Sequence, residues 1–448
     1  MASPEVLPPT RTVEPTRTSQ GTASRPTILV LHPDLFGGPV HVPYLMTLVR
    51  NLPQYGFLVL TGAPSNMLPG GALPPEATFA WRGSPWLERA ERALPAPLAR
   101  PFGVAADVLK ALQYRRLVRR SSFDLVHVHV GLELENLQRA GRKLRLRGLW
   151  TIARWLSDLS WCERPVVFTD HSLFTRRDEF GYPNPLHEAD MAVTDAYGNV
   201  ICVERDGYEY LGRRDSLRRI VRRRWYVPNG IDTKRFAFRP LVRHDRLRLG
   251  YAGRLFRAGE SRDFLPRVAA ALPPGIELHL AVASPIREDE IRRRWFPQPN
   301  VVIRRNVPNE QMPDFYGSID LFVNPMLWSA LGRTTLEAMS CGRAVAMFDN
   351  ADRYPVTRET GYLISAHDPE GFVSLAVRLA GAWAELEVLG KNARAAVEGE
   401  FDERRVAAGT SAIYASLMGK SGRETPAALT QGLLPVVAVD SSGGDARP

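Results

Sequence analysis

Short apolar runs alternate with longer segments of helical spacing along most of the chain. The first run, residues 27–32, stops at Pro33. Apolar runs of this length bounded by turn residues are typical of buried strands. Strands that alternate with helices predict an α/β protein with parallel sheets. Further strands are expected at residues 57–61, 125–129, 166–169, 200–203, 247–252, 276–282, 301–303, 321–324 and 344–348.

The length of 448 residues predicts more than one domain, because a single hydrophobic core stops growing at roughly 250–300 residues. Two Rossmann-like domains that face each other across a cleft would bring their strand C-terminal loops to one ligand site. Neither half carries a three-glycine turn after its first strand, which disfavours a dinucleotide-dependent oxidoreductase. The predicted division is a disordered tail (1–25), an N-terminal Rossmann-like domain (26–233), a C-terminal Rossmann-like domain (234–405), a terminal helix (406–419) and a low-complexity tail (420–448).

Composition narrows the partners and the compartment. The net charge of +10 favours anionic partners such as phosphorylated substrates, acidic lipid surfaces or nucleic acid. The cysteines Cys162, Cys202 and Cys341 are far apart in or beside apolar runs, a pattern typical of reduced, buried thiols. The first 25 residues lack the apolar core of a secretory signal, and no apolar stretch is long enough to span a bilayer. We therefore expect a cytoplasmic protein.

The segment from residue 321 to residue 348 is the most informative part of the chain. It comprises an apolar strand, a turn with Gly332, an amphipathic helix with Glu337, then Gly342 and a second apolar strand. The unpaired N–H groups and the dipole at the start of such a helix favour a phosphate group. Glu337 follows about one and a half turns later, where it could bind a ribose. The alternative is an ordinary strand–helix–strand unit with a solvated glutamate.

A series of segments resembles the GT4-type retaining glycosyltransferases of GT-B architecture. They run in the family's order from about residue 28 to residue 418. The stretch at 167–174, with 200–203, is similar to the subgroup that transfers N-acetylglucosamine to phosphatidylinositol. The matching segments are Gly37-Gly38, FDLVHVH (123–129), VFTDH (167–171), YVPNGIDTKRF (226–236), YAGRL (251–255), VP (307–308), MPDFY (312–316), LEAMSCG (336–342) and ETGYL (359–363).

The resemblance implies a role for each matching position. Arg254 would bind the donor diphosphate and stabilise the charge that develops as the sugar–phosphate bond breaks. Glu337 would hold the ribose, and His171 would lie near the transferred sugar. The leaving phosphate assists deprotonation of the acceptor in this family, so the resemblance implies no cofactor and no metal. The remaining donor-binding candidates are Gly37, Gly38, Ser329, Gly332, Arg333 and Thr334.

The chain departs from the family pattern at the donor site. Ser329 occupies the position of a glutamate that touches the sugar, and Ala258, Gly259 and Glu260 stand where a lysine is expected. Charge-assisted hydrogen bonds contribute roughly 1.5–3 kcal/mol each, so their loss needs compensation, for which Arg257, Arg262 and Arg333 are candidates. The departures leave three functions open: an active glycosyltransferase, which we favour, a non-catalytic GT-B protein acting as a scaffold, and a nucleotide-sugar epimerase.

The histidines of the first half have two interpretations. His127 and His129 are two residues apart, so in a strand they point to the same face. A metal pair lacks a suitably spaced carboxylate or cysteine, and we expect polar residues that close a buried strand near the cleft. Asp170 and His171 are adjacent and point in opposite directions, and by resemblance His171 faces the cleft.

Two basic stretches suggest where the positive charge lies. Residues 213–224 carry seven arginines, with Leu217, Ile220 and Val221 at helical spacing, and residues 110–120 form a second basic segment. The alternatives are solvated helix faces or peripheral contact with an anionic membrane surface. Nucleic acid is disfavoured because no recognised binding module is present. The acceptor, which the sequence does not identify, is expected to bind the first domain.

Overall fold

Two parallel sheets account for the alternation of apolar runs and helical segments. They are seen in a computed structural model that describes residues 25–32, 41–60, 77–80, 93–129, 162–171, 198–205, 207–209, 223–255, 263–325, 332–349, 354–365 and 367–419. The architecture is α/β with two parallel sheets, as the sequence predicts.

The first sheet has seven strands in the order β3-β2-β1-β4-β5-β6-β7. Every pairing is parallel, and in the central strand β1 Ile28 lies opposite Phe57 on one side and Leu125 on the other. The strands are β1 (Thr27–Leu31), β2 (Gly56–Leu60), β3 (Ala77–Ala80), β4 (Leu125–Val128), β5 (Val166–Asp170), β6 (Asn199–Cys202) and β7 (Arg223–Tyr226).

Both faces of the first sheet are covered, which explains why its central strands are continuous apolar runs instead of alternating ones. Leu29 and Leu31 of β1 pack on the side of helix α2 (Ala96–Arg120). Ile28 and Val30 pack on the opposite side, against helix α1 (His41–Asn51).

The second sheet has six parallel strands in the order β10-β9-β8-β11-β12-β13. The strands are β8 (Leu247–Arg254), β9 (Ile276–Ala283), β10 (Val301–Arg305), β11 (Leu321–Asn324), β12 (Ala344–Phe348) and β13 (Gly361–Ile364). The helices on its faces are α3 (Phe264–Ala271), α4 (Glu288–Trp295), α5 (Met312–Gly317), α6 (Arg333–Ser340), α7 (Pro369–Leu379) and α8 (Trp383–Ala396).

The last helix, α9 (Glu403–Leu417), returns from the second sheet to the first. A β-bridge between Ile231 and Asp402 pairs the two segments that connect the sheets. The Asp402 side chain caps α9 by accepting from the Arg404 N–H at 2.9 Å. Ile413 and Tyr414 of α9 are buried in the same cluster as β1. By its packing, α9 therefore belongs to the core of the first sheet. The residue boundaries of the two domains stay a prediction.

Three strands were not expected from the sequence: β3, β7 and β13. All three are edge strands, which have one neighbour and need no long apolar run. The end of the basic stretch at 213–224 had been expected to be helical, but Arg223 and Arg224 begin β7 and pair with β6. Residues 213–222 lie outside the described residues.

In the part of the chain that the structure describes, every helix is too short or too polar to cross a membrane.

Candidate functional site

Each sheet has one place where the chain order of the strands reverses. In the second sheet it lies between β8 and β11, and in the first between β1 and β4. Loops leave in opposite directions at such a switch point, which opens a crevice at the carboxyl ends of the strands where ligands bind in open α/β sheets. The topology therefore selects two places in which to look for function.

Arg254 is the last residue of β8 and is exposed at the second switch point. The Tyr251 hydroxyl donates to the Arg254 carbonyl at 2.9 Å, passing over Gly253. A Cβ atom at Gly253 would come within 2.7 Å of that hydroxyl. The strand end that presents Arg254 thus depends on a glycine at position 253, because only a residue without a side chain leaves room for the tyrosine.

Helix α6 begins at the opposite side of the same switch point. Its N-cap residue, Gly332, has no side chain to satisfy the first N–H groups, so the start of the helix is suited to an anion. The buried Asn324 at the end of β11 donates to the Thr335 hydroxyl at 2.9 Å. This bond fixes the helix start relative to the strand that precedes it.

Glu337 is buried at 6% exposure, in contrast to the solvated glutamate of an ordinary strand–helix–strand unit. Its Oε2 accepts a hydrogen bond from the Tyr316 hydroxyl at 2.9 Å, and its Oε1 lies 3.8 Å from Arg333 Nε. Burial raises the pKa of the Glu337 carboxyl, while Arg333 and Tyr316 oppose that rise. Burying a carboxylate lowers the stability of the fold. Buried groups with shifted pKa values are common at functional sites.

Arg333 is largely buried and joins the second switch point to the segment that connects the two halves. Its Nη1 donates to the Gly230 carbonyl at 3.0 Å. Burial lowers the pKa of the Arg333 guanidinium, and Glu337 opposes that change. Arg333 therefore lies between Glu337 and the connecting segment, and its guanidinium already interacts with groups of the protein.

Imidazole and phenol rings surround the first switch point. His129 Nδ1 lies 2.8 Å from His171 Nε2, and the two ring centroids are 5.1 Å apart with their planes inclined by 23°. Tyr44 of α1 packs edge-on against both rings, at 5.2 and 4.9 Å. His32, directly after β1, stacks on His129 at 6.0 Å. The cluster joins residues from β1, β4, β5 and α1, which the sequence separates widely.

His127 lies beneath this cluster, with its ring 4.1 Å from that of His129, as the two-residue spacing predicted. Its two nitrogens contact the Thr169 hydroxyl at 2.6 Å and the Tyr414 hydroxyl at 2.5 Å. Burial lowers the pKa of His127 to about 3. A neutral imidazole with both nitrogens engaged is a structural link from β4 to β5 and α9. Within the described ranges no group of three or more metal-ligating side chains is placed to hold an ion.

The loops after β9 and β10 are held together by the side chains of Asn306 and Arg305, whose Nη1 donates to the Ser284 carbonyl at 3.2 Å. Asn306 adopts a positive φ of 51°, and its Oδ1 accepts from the Ser284 N–H at 3.1 Å. Asparagine tolerates this backbone conformation better than most residues. The Ala283-Ser284-Pro285 turn is thus stabilised from the end of the neighbouring strand.

The two halves approach each other beside α6. Val203 and Tyr226, which follow or end strands of the first sheet, and Leu336 and Tyr354 of the second half line one small pocket. The Arg205 guanidinium lies 4.2 Å from the Tyr354 ring centroid. Residues of both halves therefore border a common pocket.

The structure brings only some of the predicted site residues together. Arg333 and Glu337 share one face of α6, Gly332 caps that helix, Thr334 lies in its first turn, and Arg254 ends the strand at the other side of the switch point. His171 belongs to the ring cluster of the first sheet. The roles assigned to these residues stay predictions. The candidates outside the described residues are Gly37, Gly38, Ser329, Arg257 and Arg262.

Sequence reasoning missed Tyr316, Tyr44 and Asn324. Tyr316 stands in the MPDFY segment, which was noted for its resemblance without a role for the tyrosine. A fully buried tyrosine needs a hydrogen-bond partner, but its partner Glu337 lies 21 residues away, so only the fold reveals the pair. No local signal points to Tyr44.

Comparison with known proteins agrees with this geometry. Residues 246–381 match the family model described as glycosyl transferases group 1, so this part of the second half is similar to such domains. A curated relative, the lipopolysaccharide core biosynthesis mannosyltransferase LpsB of Rhizobium meliloti, is 35% identical over 111 residues. That match covers 24% of this chain and spans about a third (32%) of the relative.

Solved structures show the same fold over most of the chain. Sucrose-phosphate synthase from Thermosynechococcus elongatus has a TM-score of 0.66 at 17% identity, covering 89% of this chain and all (100%) of that one. Anabaena HepE in complex with UDP-glucose has a TM-score of 0.60 at 16% identity, covering 87% of this chain and 100% of its own. At these identities the likeness establishes the GT-B fold.

Proposed function

We propose that this protein transfers a sugar from a nucleotide-diphosphate sugar to an acceptor, with retention of anomeric configuration. The observation that carries the proposal is the charged switch point of the second sheet. Arg254, the start of α6 and the buried Glu337 are three features suited to a diphosphate and a ribose. The group 1 match at residues 246–381 supports the same assignment.

In this proposal the groups of the second half stabilise the leaving group. The Arg254 guanidinium and the first N–H groups of α6 would neutralise the charge that develops on the diphosphate as the glycosidic bond breaks. Glu337 would fix the ribose, and thereby the position of the phosphates. The leaving phosphate oxygen would take the proton of the acceptor hydroxyl on the same face of the sugar, which retains the configuration.

The first half would supply the environment of the sugar and the acceptor. His171 lies in the ring cluster at the first switch point, where rings and imidazole nitrogens suit sugar hydroxyls and their apolar faces. Closure of the two halves would exclude water, which otherwise hydrolyses the donor. The unusual Ser329 bears on which sugar is accepted.

The two rival functions are not favoured. A scaffold that has lost its donor site has no reason to keep a carboxylate buried at 6% exposure, since burying it costs stability. An epimerase would need a carboxylate in the first-domain face of the cleft. Glu133 and Glu135 lie outside the described residues, and Asp170 is buried at the end of β5.

A thermal-shift screen tests the proposal. The wild type would be heated with UDP, GDP, ADP, TDP and their common sugar conjugates, in parallel with Arg254→Ala and Glu337→Ala. A ligand at 100 times its Kd stabilises the folded state by about 2.7 kcal/mol, which raises the melting temperature. We expect one nucleotide to shift the wild type and to shift neither variant. No shift at millimolar ligand would instead favour the non-catalytic function.

The proposed acceptor side includes contact with an anionic membrane surface. Helix α2 exposes Leu109 (47%) and Leu112 (50%), and Arg116, Arg119 and Arg120 are exposed further along it. Its only acidic residue, Asp107, is buried. Apolar side chains beside basic ones fit an anionic bilayer interface, and this supports a lipid-linked acceptor such as the phosphatidylinositol that the subgroup likeness predicts.

Vesicle co-sedimentation tests the membrane contact. We expect binding to vesicles that contain about a third anionic lipid, weak binding to zwitterionic vesicles, and loss of binding in the double variant Leu109→Ser/Leu112→Ser. A double variant Val377→Ser/Val388→Ser, altered at exposed valines of the second half, is the control. Equal binding by both double variants would remove α2 from the membrane proposal.

A further inference from the structure

The orientation of Glu337 is set by protein groups on both of its oxygens. Tyr316 donates to Oε2 at 2.9 Å, whereas Arg333 Nε is 3.8 Å from Oε1, a loose contact for a charged pair. Arg394 and Glu398 have the same order and spacing on a helix, and they approach to 2.6 Å. The wider separation of Arg333 from Glu337 goes together with the bond from Tyr316 to the carboxylate and the bond from Arg333 to the Gly230 carbonyl.

Tyr316 is enclosed on all sides by protein groups. It is 0% exposed, and its ring packs against Phe236 at 6.1 Å and Phe322 at 5.8 Å. The guanidinium of Arg343, which is also fully buried, donates from Nε to the Tyr316 carbonyl at 2.8 Å. With both its ring and its backbone fixed, the tyrosine hydroxyl has one position, and so has the carboxylate oxygen that accepts from it.

The carboxylate retains capacity for a ligand in this position. Each oxygen has two acceptor sites, and Tyr316 uses one site of Oε2. The remaining sites can accept from two neighbouring hydroxyl groups, as a ribose presents. If the carboxylate turned toward Arg333, the same oxygens would be used for the ion pair and the two hydroxyl contacts would not form together.

We infer that Tyr316 is a positioning residue that makes the nucleotide site selective for ribose over deoxyribose, acting through Glu337. The inference rests on the proposed function, because it takes the second switch point as the nucleotide site. In this inference Tyr316, a residue of α5, contributes to recognition of the ribose through its bond to Glu337.

The test compares each ribonucleotide with its 2′-deoxy counterpart by titration calorimetry. The pairs are UDP and dUDP, GDP and dGDP, and ADP and dADP, and the measured quantity is the ratio of the two Kd values. We expect the wild type to prefer the ribonucleotide by about 10- to 100-fold, as for hydrogen bonds to a charged group. Tyr316→Phe should reduce that ratio by about 3- to 10-fold, and Glu337→Ala should bring it close to one.

Tyr362→Phe is the matched control. Tyr362 also donates its hydroxyl to a glutamate of the second half, Glu385, at 2.6 Å. Its substitution removes a bond of the same kind outside the proposed site, so the ribose preference should stay at the wild-type value. Because the ratio is measured within one variant, a loss of folded protein lowers both titrations equally and leaves the ratio unchanged.

Arg333→Gln serves if Tyr316→Phe fails to fold. A retained ribose preference in Arg333→Gln supports Tyr316 as the group that orients Glu337, and a lost preference assigns that role to Arg333 and overturns the inference. An unchanged ratio in Tyr316→Phe also overturns it while leaving the nucleotide site intact. If the wild type binds neither the six nucleotides nor TDP, the proposed function fails together with the inference. If it binds TDP alone, whose sugar is a deoxyribose, the inference is overturned and the proposed function stands.

Discussion

Charged side chains surround the switch point of the second sheet, whereas rings surround that of the first. Arg254, Arg333 and Glu337 lie at the second, and His129, His171 and Tyr44 lie at the first. The same topology thus carries two kinds of chemistry. A diphosphate needs positive charge and helix N–H groups, while a sugar ring needs hydrogen-bonding groups and flat surfaces. The difference supports a division of labour, with the nucleotide on one sheet and the sugar and acceptor on the other.

The largest effect on the proposed nucleotide site of the second sheet is expected from substitution of Arg254. Arg254→Ala should lower turnover about 100-fold or more, because removal of one group that stabilises developing charge typically has that effect. The measurement is the rate of transfer with the donor that the thermal-shift screen identifies. Arg246→Ala, which removes an exposed arginine just before the opposite end of β8, is the control, and an equal loss in both would contradict the assignment.

The buried histidine of the first sheet predicts sensitivity to acid. The pKa of His127 is about 3 in the folded protein and about 6.5 when unfolded, so the unfolded state binds the proton first as the pH falls. The free energy of unfolding should therefore drop by about 2–3 kcal/mol more in the wild type than in His127→Gln between pH 7 and pH 4.5. Denaturant titrations at both pH values test this, and parallel curves would contradict it.

The buried carboxyl of the second sheet predicts the opposite pH dependence. Asp320 accepts from the Arg248 N–H at 2.7 Å, and burial raises its pKa to about 7. The folded state then holds a proton that the unfolded state releases near pH 4, so this contribution to stability is present in acid and is lost as the pH rises toward 7. Relative to Asp320→Asn, the wild type should lose up to about 3 kcal/mol between pH 4 and pH 7. A relative gain over that range would contradict the buried, protonated carboxyl.

The smallest effect is expected where α9 meets α1. Glu403 accepts from Arg50 at 3.2 Å, and this arginine is about half exposed (48%). Glu403→Gln should cost about 0.2–1 kcal/mol of stability, the usual range for surface ion pairs, and should leave nucleotide binding unchanged. A loss of several kcal/mol in a thermal or denaturant unfolding experiment would contradict this and show that the contact fixes α9 on the first core.

The sequence predicts the central strands of both sheets because these strands are buried on both faces and must be continuously apolar. Three of the four edge strands were not predicted in this way, whereas the fourth, β10, was expected at residues 301–303. The segment that forms β7 reads Arg-Arg-Trp-Tyr, and its arginines belong to a basic stretch with helical spacing. Only the pairing with β6 makes it a strand, and that pairing is a tertiary property.

In the candidate site too, the local features were predicted from the sequence and the long-range contacts were not. Glu337 and Gly332 were found from the sequence, because a strand, a turn and a helix start are local features. The contacts that give Glu337 its setting are not local: Tyr316 lies 21 residues away and Gly230, bound by Arg333, 103 residues away. The histidine cluster likewise requires β4 and β5 to be neighbours, which the order of apolar runs does not determine.

Nucleotide affinity in Glu337→Ala and His171→Ala, measured side by side by calorimetry, tests the division of labour most directly. The ligand is whichever of UDP, GDP, ADP and TDP gives the largest thermal shift. Glu337→Ala should weaken binding about tenfold or more, since a hydrogen bond to a charged group is lost, and His171→Ala should stay within about twofold of the wild type while losing transfer activity. Strong loss of nucleotide binding in His171→Ala with none in Glu337→Ala would contradict the account.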